Sequence, residues 1–505
     1  MGEPPRLSAS THWLTRFVFF RALGLVYTVA FLVVVFQWEP LLGSHGLLPA
    51  RDFLEHVRAA RGLGSAFVRV PTLFWLADSD TAFRIGGYVG LGGSLVLLAG
   101  FANVPLLASL WFLYMSFVHA GGLFYGYGWE ILLLEAGFLA IFLAPLWRLT
   151  PFAPPPPSPL VVTLLRWLLF RLMFGAGLIK LRGDPCWRDL TCMFWHYETQ
   201  PNPNPLSWYL HQLPPWFHRL EVLFNHLVEL VAPWFYFGPR RARLVAGALT
   251  VAFQVLLIVS GNLSFLNWLT LTVAVACFDD ASLARLISST WRASLSQAIP
   301  SVEESKPRTL ATYALAVVVA LLSLNPIVNM LSPGQVMNTS FDPLDLVNTY
   351  GAFGSIGRER YEIVLEGTDA QEPGDDARWE AYEFMCKPGD PVRRPCWISP
   401  YHYRLDWQMW FAAMPGAGTE PWLVHLVARL LEGDVATRRL LAPGPFMDHP
   451  PRFIHARLFR YQFTHPADAN GAWWVRTPAG RYLPALSKDD PRLLDYLRAE
   501  GLESR

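Results

Sequence analysis

The densest chemistry in the chain runs from Lys180 to Pro205, KLRGDPCWRDLTCMFWHYETQPNPNP. Lys180, His196 and Glu198 are residue types that can hold, take or deliver a proton, which makes them the candidate catalytic groups. Trp187, Arg188 and Asp189 set an aromatic face beside two opposite charges, which makes them binding candidates. Pro201, Pro203 and Pro205 forbid helix and impose an extended path. The same residues also fit a rigid, hydrogen-bonded lid pinned between Cys186 and Cys192. Closing so short a loop gains little entropy, so a bond there would fix local shape more than global stability. No GxSxG elbow, HExxH pair, Walker A loop or GxGxxG turn accompanies it, so no particular enzyme reaction is signalled and no cofactor is expected. Neither cysteine pair has a second CxxC or a histidine pair at ligand spacing, so no metal site is expected either.

A second cluster lies in Trp397–Trp410, where Tyr401, His402, Arg404 and Trp407 are candidates for binding a client protein or a lipid. A core strand with satisfied polar partners fits the same residues. Ionisable groups also fall in apolar runs, where they are expensive and mark either pathways or helix contacts. Glu130 and Glu135 are five positions apart, as are Arg166 and Arg171. An ion-pair network between the fourth and fifth spans would neutralise all four; a buried substrate channel is the alternative. Asp279-Asp280 reads as a solvated helix end.

The elements that must position these groups follow from composition. Of 505 residues, 52% are hydrophobic and 16% charged, against roughly 25% charged in an average soluble protein. The deficit is concentrated in residues 1–331. A bilayer core needs roughly 20 apolar residues in a helix. Nine stretches qualify as spans: 17–36, 83–100, 103–119, 128–147, 160–179, 218–237, 242–260, 262–278 and 309–331. Arg6, Arg16, Arg148, the Arg240–Arg243 cluster, Arg285, Arg292, Lys306 and Arg308 then share the cytoplasmic side, as the positive-inside rule asks. An odd count places loop 180–217 and residues 332–505 outside the cytoplasm. The pairs Cys186 with Cys192 and Cys386 with Cys396 then lie on the oxidising side, where two local disulfides are the natural reading and free buried thiols the alternative. Residues 332–505 switch to alternating patterns at 359–367, 379–386, 453–463 and 473–477, with a helical pattern over 422–431 stopped by Gly433. The fold class expected is therefore an α-helical polytopic bundle over 1–331, carrying external loop 180–217, followed by a β-rich extracytoplasmic domain over 332–505. A net charge of +1 without a basic stripe excludes nucleic acid as a partner.

Four long motifs carry a family resemblance: Gly175–Pro205, Ser260–Asp280, Thr349–Gly367 and Cys386–Phe411. With Trp13-Leu-Thr-Arg-Phe17, Gly46-Leu-Leu-Pro49 and Trp473-Trp474, they closely resemble the lipase maturation factors over nearly the whole chain. The resemblance implies a multi-pass protein of the secretory pathway that assists folding and assembly of secreted lipases in the endoplasmic reticulum, with no established catalytic reaction. Its partners would be a secreted lipase or other exported client, membrane lipid and thiol oxidoreductases. Only four lysines stand among the 41 basic residues, which resembles a bacterial member, for which the plasma membrane replaces the reticulum. A shorter likeness, Ala176-Gly-Leu-Ile-Lys180 with Trp187-Arg188-Asp189, is similar to a helix-end motif of the vitamin K-dependent carboxylases and their membrane relatives. It implies an alternative, a membrane enzyme acting on a lipid-soluble or peptide substrate with Lys180 as base.

Overall fold

A computed structural model describes residues 7–299, 305–374, 376–467 and 470–502; Arg6 lies outside the described residues. The apolar runs become helices α1 Trp13–Leu42, α2 Asp80–Ala99, α3 Val104–Ala120, α4 Gly128–Leu143, α5 Pro159–Gly183, α6 Arg240–Ser260, α7 Leu266–Ala274 and α8 Lys306–Leu322. Their ends follow local chemistry. The Ser79 and Asn103 side chains accept first-turn N–H groups of α2 and α3, and Gly100 takes the left-handed conformation that stops α2. The first turn of α1 is capped from far along the chain: the Asp280 carboxylate accepts the N–H groups of Trp13 at 2.9 Å and Leu14 at 2.7 Å. Asp279 takes the guanidinium groups of Arg240 at 2.7 Å and Arg243 at 3.0 Å. The acidic pair expected as a solvated helix end is thus buried and ties α1 and α6 to the segment that follows α7.

Among the described residues, five helices are long and apolar enough to cross a membrane: α1, α2, α5, α6 and Lys306–Leu331, which continues α8. The chain is a multi-pass membrane protein. The expectation of nine crossings therefore goes beyond what the helices carry. The apolar helices Val104–Ala120 and Leu266–Cys277 are shorter, and α4 has 16 residues, about 24 Å of rise. The expected span 218–237 is broken into an α-helix Pro215–His226, a π turn Leu227–Val231 and a 3-10 segment Ala232–Phe237. Pro233, which has no N–H to give the ladder, sits where the π turn ends.

Helices α1 and α2 run antiparallel, with Arg84 beside Glu39 at one end and Gly24 against the Leu98 backbone near the other. Close approach depends on small residues: a Cβ at Gly24 would strike the Leu98 backbone, and the Phe31 ring fills the space a Cβ at Gly90 would need.

The region after the last long helix contains a small ladder, β1 Thr339–Ser340 with β2 Asn348–Thr349, and a four-stranded antiparallel sheet. The sheet comprises β3 Arg360–Thr368, β4 Glu380–Ala381, β5 Phe453–Phe463 and β6 Trp474–Ser487 in the order β4-β3-β5-β6. The alternating stretches at 359–367 and 453–463 thus become the two central strands. The stretch 379–386 shortens to two paired residues because the chain leaves the sheet after Tyr382; Phe384 bridges Leu441, and the N–H groups of Cys386 and Lys387 turn to the Asp406 carboxylate at 2.6 and 2.8 Å. Helix α10, Pro421–Glu432, ends at Gly433 with φ +75°, as its pattern predicts. It follows α9, Arg404–Ala412, so the cluster Trp397–Trp410 enters a helix and is not a core strand.

Candidate functional site

The two halves meet through buried polar contacts. On α4 and α5, Glu135 pairs with Arg171, each side chain 1% exposed. The pair also receives the incoming chain: Arg171 donates to the Asn348 carbonyl at 2.7 Å, and Glu135 accepts from the Asn348 N–H at 3.0 Å and the Tyr350 hydroxyl at 2.8 Å. The network expected between the fourth and fifth spans stops there. Five residues turn a helix by about 140°, so neither Glu130 with Glu135 nor Arg166 with Arg171 can face one partner. Arg166 donates to the Ala276 carbonyl at 2.7 Å. Glu130 pairs with Arg404 of α9 at 2.8 Å and accepts from Trp129 Nε1 at 2.9 Å and from the Tyr114 hydroxyl.

The cluster around Arg404 is absorbed in this join. Gln37 of α1 donates to the Tyr401 hydroxyl and the His402 carbonyl, both at 2.8 Å, and accepts the Arg404 N–H at 2.8 Å. His402 Nδ1 lies 2.9 Å from the Ser264 hydroxyl, and Trp407 packs edge-on against Trp129. His402, Arg404 and Trp407 are buried.

At the end of α5, Lys180 Nζ contacts both Glu229 oxygens at 2.6 and 2.7 Å and Asn225 Oδ1 at 2.9 Å, with the Trp187 ring 5.0 Å away. The π turn carries Glu229 on the face that meets α5. Asp184 then caps the short helix Pro185–Arg188 through the Cys186 N–H at 2.9 Å and pairs with Arg358 at 2.8 Å, which draws the carboxyl below its ordinary pKa. Cys186 is bonded to Cys192, and Cys386 to Cys396, while Cys277 remains a free, buried thiol. Asp184, Cys186 and Cys192 gather within 4.8 Å, a metal-like grouping. Its sulfurs are spent on each other and its carboxylate on Arg358. Trp187 is buried and donates to the Phe353 carbonyl at 2.9 Å, whereas Arg188 and Asp189 are exposed.

Further along, Glu198 accepts the Phe463 N–H of β5 at 2.7 Å, and burial raises its pKa. Arg360 of β3 donates to the carbonyls of Glu198 at 3.1 Å, Gln200 at 2.5 Å and Pro201 at 2.8 Å; the Glu362 carboxylate balances its charge and also meets Lys387 Nζ at 2.8 Å. The Asn262 side chain ties the Asn202 carbonyl to Cys396, Ile398 and Ser399. Arg360 and Asn262 carry no chemical signature of their own; both sit inside motifs quoted above for the family resemblance, the one available signal.

One candidate catalytic group remains open to a cavity. His196 lines a cleft of about 250 Å³ between the loop, the segment 353–361 and the end of α9. Phe353 stands edge-on to it at 4.9 Å, with a left-handed φ of +54°, a conformation an aromatic residue holds only where its surroundings enforce it. Trp410, anchored by its Nε1 to the Thr199 carbonyl at 3.1 Å, and Met414 complete the apolar wall. His196 Nδ1 is buried without a hydrogen-bond partner among the described residues. Burial and the nearby Lys180 charge lower its pKa to about 4.

Acid should therefore loosen this region. Burial holds His211 down to about 4 as well and His402 well below the ordinary value. Each histidine binds more protons unfolded than folded from pH 6.5 downward, so stability is lost as pH falls through that window. Asp406, raised to about 6 by burial, and Glu198, also raised by burial, oppose this, because their folded forms take up a proton first. Three histidines outweigh the two carboxylates. Between pH 7 and 5 the thermal midpoint of the detergent-purified protein should fall, with about 2 kcal/mol from His196 alone. His196→Asn should flatten that dependence; an identical slope would refute the assignment.

Together these features define a polytopic membrane protein whose loop 180–217 packs against the C-terminal sheet. A family model of the lipase maturation factor transmembrane domain matches residues 14–285, and one of the C-terminal domain matches residues 346–484. Lipase maturation factor 1 of Bos taurus is 50% identical over 97% of this chain and 92% of its own length; that of Homo sapiens is 48% identical over 99% and 92%. Lipase maturation factor 2 of Gallus gallus is 32% identical over 100% of this chain and 85% of its own. No solved structure matches. The chain belongs to the lipase maturation factor family, and its role is that of a membrane-embedded maturation factor.

Proposed function

We propose that this chain holds an immature secreted lipase, or a similar exported protein, against the surface built from loop 180–217 and residues 332–505 while the client completes folding and assembly. Near 50% identity to lipase maturation factor 1 across the whole chain carries the reading. The client would meet the cleft at His196, Phe353, Trp410 and Met414, with the exposed Phe411 beside it. An apolar recess with one neutral imidazole suits a large apolar side chain of an incompletely folded segment, the kind of surface a finished enzyme has buried. This surface faces away from the cytoplasm in our reading, toward the reticulum lumen or, for a bacterial source, outside the plasma membrane. There both cysteine pairs can be oxidised, and thiol oxidoreductases would be the partners that oxidise them.

The test is co-expression with a secreted lipase in cells that lack their own maturation factor. Trp410→Ala, and independently Met414→Glu on the exposed rim, should lower activity per secreted lipase molecule roughly tenfold, the scale of losing one buried anchor. Lipase synthesis and the amount of factor should stay constant. Full lipase activity with both variants would overturn the cleft as the client site, and full activity with no factor present would overturn the client.

A further inference from the structure

We propose that a second, larger cleft binds one phospholipid from the leaflet adjoining the C-terminal region, with its phosphate on Arg84 and Arg439 and its acyl chain along α1 and α2. The cleft is about 650 Å³, within the range of small-molecule sites, and lies where the outer ends of α1 and α2 meet the C-terminal region. Its two sides differ in chemistry. Val35, Phe36 and Tyr88 form the helix side; Phe36 is 67% and Tyr88 58% exposed on helices apolar enough to sit in a membrane. That face continues along α2 through the exposed Ile85 and Val89.

Donors gather where the ends of α1 and α2 face the C-terminal region. Arg439 is exposed and its guanidinium has no partner among the described residues. Arg84 reaches Glu39 at 3.2 Å, but both side chains are more than half exposed, so that pair holds its charges weakly and leaves guanidinium N–H groups free. The Tyr401 hydroxyl accepts from Gln37, so its own proton can be donated into the cleft, and the Tyr403 hydroxyl has no partner among the described residues. Two cations and two hydroxyl donors against one carboxylate leave a net positive, donor-rich pole joined to an apolar track. An isolated phosphate satisfies only the pole and a neutral acylglycerol only the track. A phospholipid satisfies both, through charge-assisted hydrogen bonds and chain burial.

The experiment uses the full chain purified in detergent, with bound lipid counted by native mass spectrometry. Wild-type protein offered phosphatidylglycerol should retain one molecule, and Arg84→Ala/Arg439→Ala should reduce retention roughly tenfold or more. Both arginines are exposed, so an unchanged thermal midpoint checks folding; Tyr403→Phe is the milder second variant. Diacylglycerol should be retained less than phosphatidylglycerol, and millimolar inorganic phosphate should not displace the lipid. Equal retention by the double variant, equal retention of diacylglycerol, or displacement by inorganic phosphate would each overturn the proposal. Occupation of the cleft by a co-purifying acidic polypeptide in place of lipid would do the same.

Discussion

Arg404→Met should destabilise the protein by about 3–5 kcal/mol, enough to leave little monodisperse material after detergent extraction. The guanidinium lies over the Tyr125 ring at 3.5 Å, donates to the Phe124 carbonyl at 2.6 Å and meets Glu130 at 2.8 Å, with both charged side chains 0% exposed. Removing it abandons the Glu130 carboxylate in a site shaped for an ion pair, and the desolvation already incurred goes uncompensated. Glu130→Gln should be nearly as damaging, because it strands the arginine. The double variant Glu130→Gln/Arg404→Met removes both charges and should recover most of the loss, since apolar replacement of a buried pair is often neutral. Thermal unfolding of all four proteins measures the cycle. Additive losses would show that the pair does not join α9 to α4.

Lys180→Met should cost a similar 3–5 kcal/mol by stranding Glu229, and the partner change decides between two functions. Lys180 spends its three donors on Glu229 and Asn225, all within 2.9 Å. If that pairing is its role, Lys180→Met/Glu229→Met should fold again and restore client activity in the lipase assay. If Lys180 is instead a catalytic base, as the short likeness to the carboxylases implies, the double variant should be folded, inserted and inactive. We expect restoration.

The resemblance named above explains why so much was legible at a distance. The motifs Gly175–Pro205, Ser260–Asp280, Thr349–Gly367 and Cys386–Phe411 are far apart in the chain, yet their residues Arg360, Asn262, Ser264 and His402 converge on one join. Local patterns did well where a physical period was at stake: alternation marked β3 and β5, and Gly433 marked the end of α10. They did less well for the span count, because hydropathy measures composition and is blind to the π turn and Pro233 that interrupt 215–237. Glu229 falls inside the expected span 218–237. Its role needed Lys180, 49 residues earlier, to be brought beside it.

The amino-acid order alone determined that this chain lives in a bilayer and carries a β-containing region after its last long helix, because apolar runs and alternation set those outcomes, and it favoured local pairing of the cysteines, which the structure shows. Which charge neutralises which was decided only by tertiary structure. Glu130 is nearer in sequence to Arg166 than to Arg404, yet at about 140° per five residues its face of α4 is turned away from α5 and toward the C-terminal region. In a low-dielectric interior an ion finds its partner by direction and distance in space, and sequence separation carries no information about either.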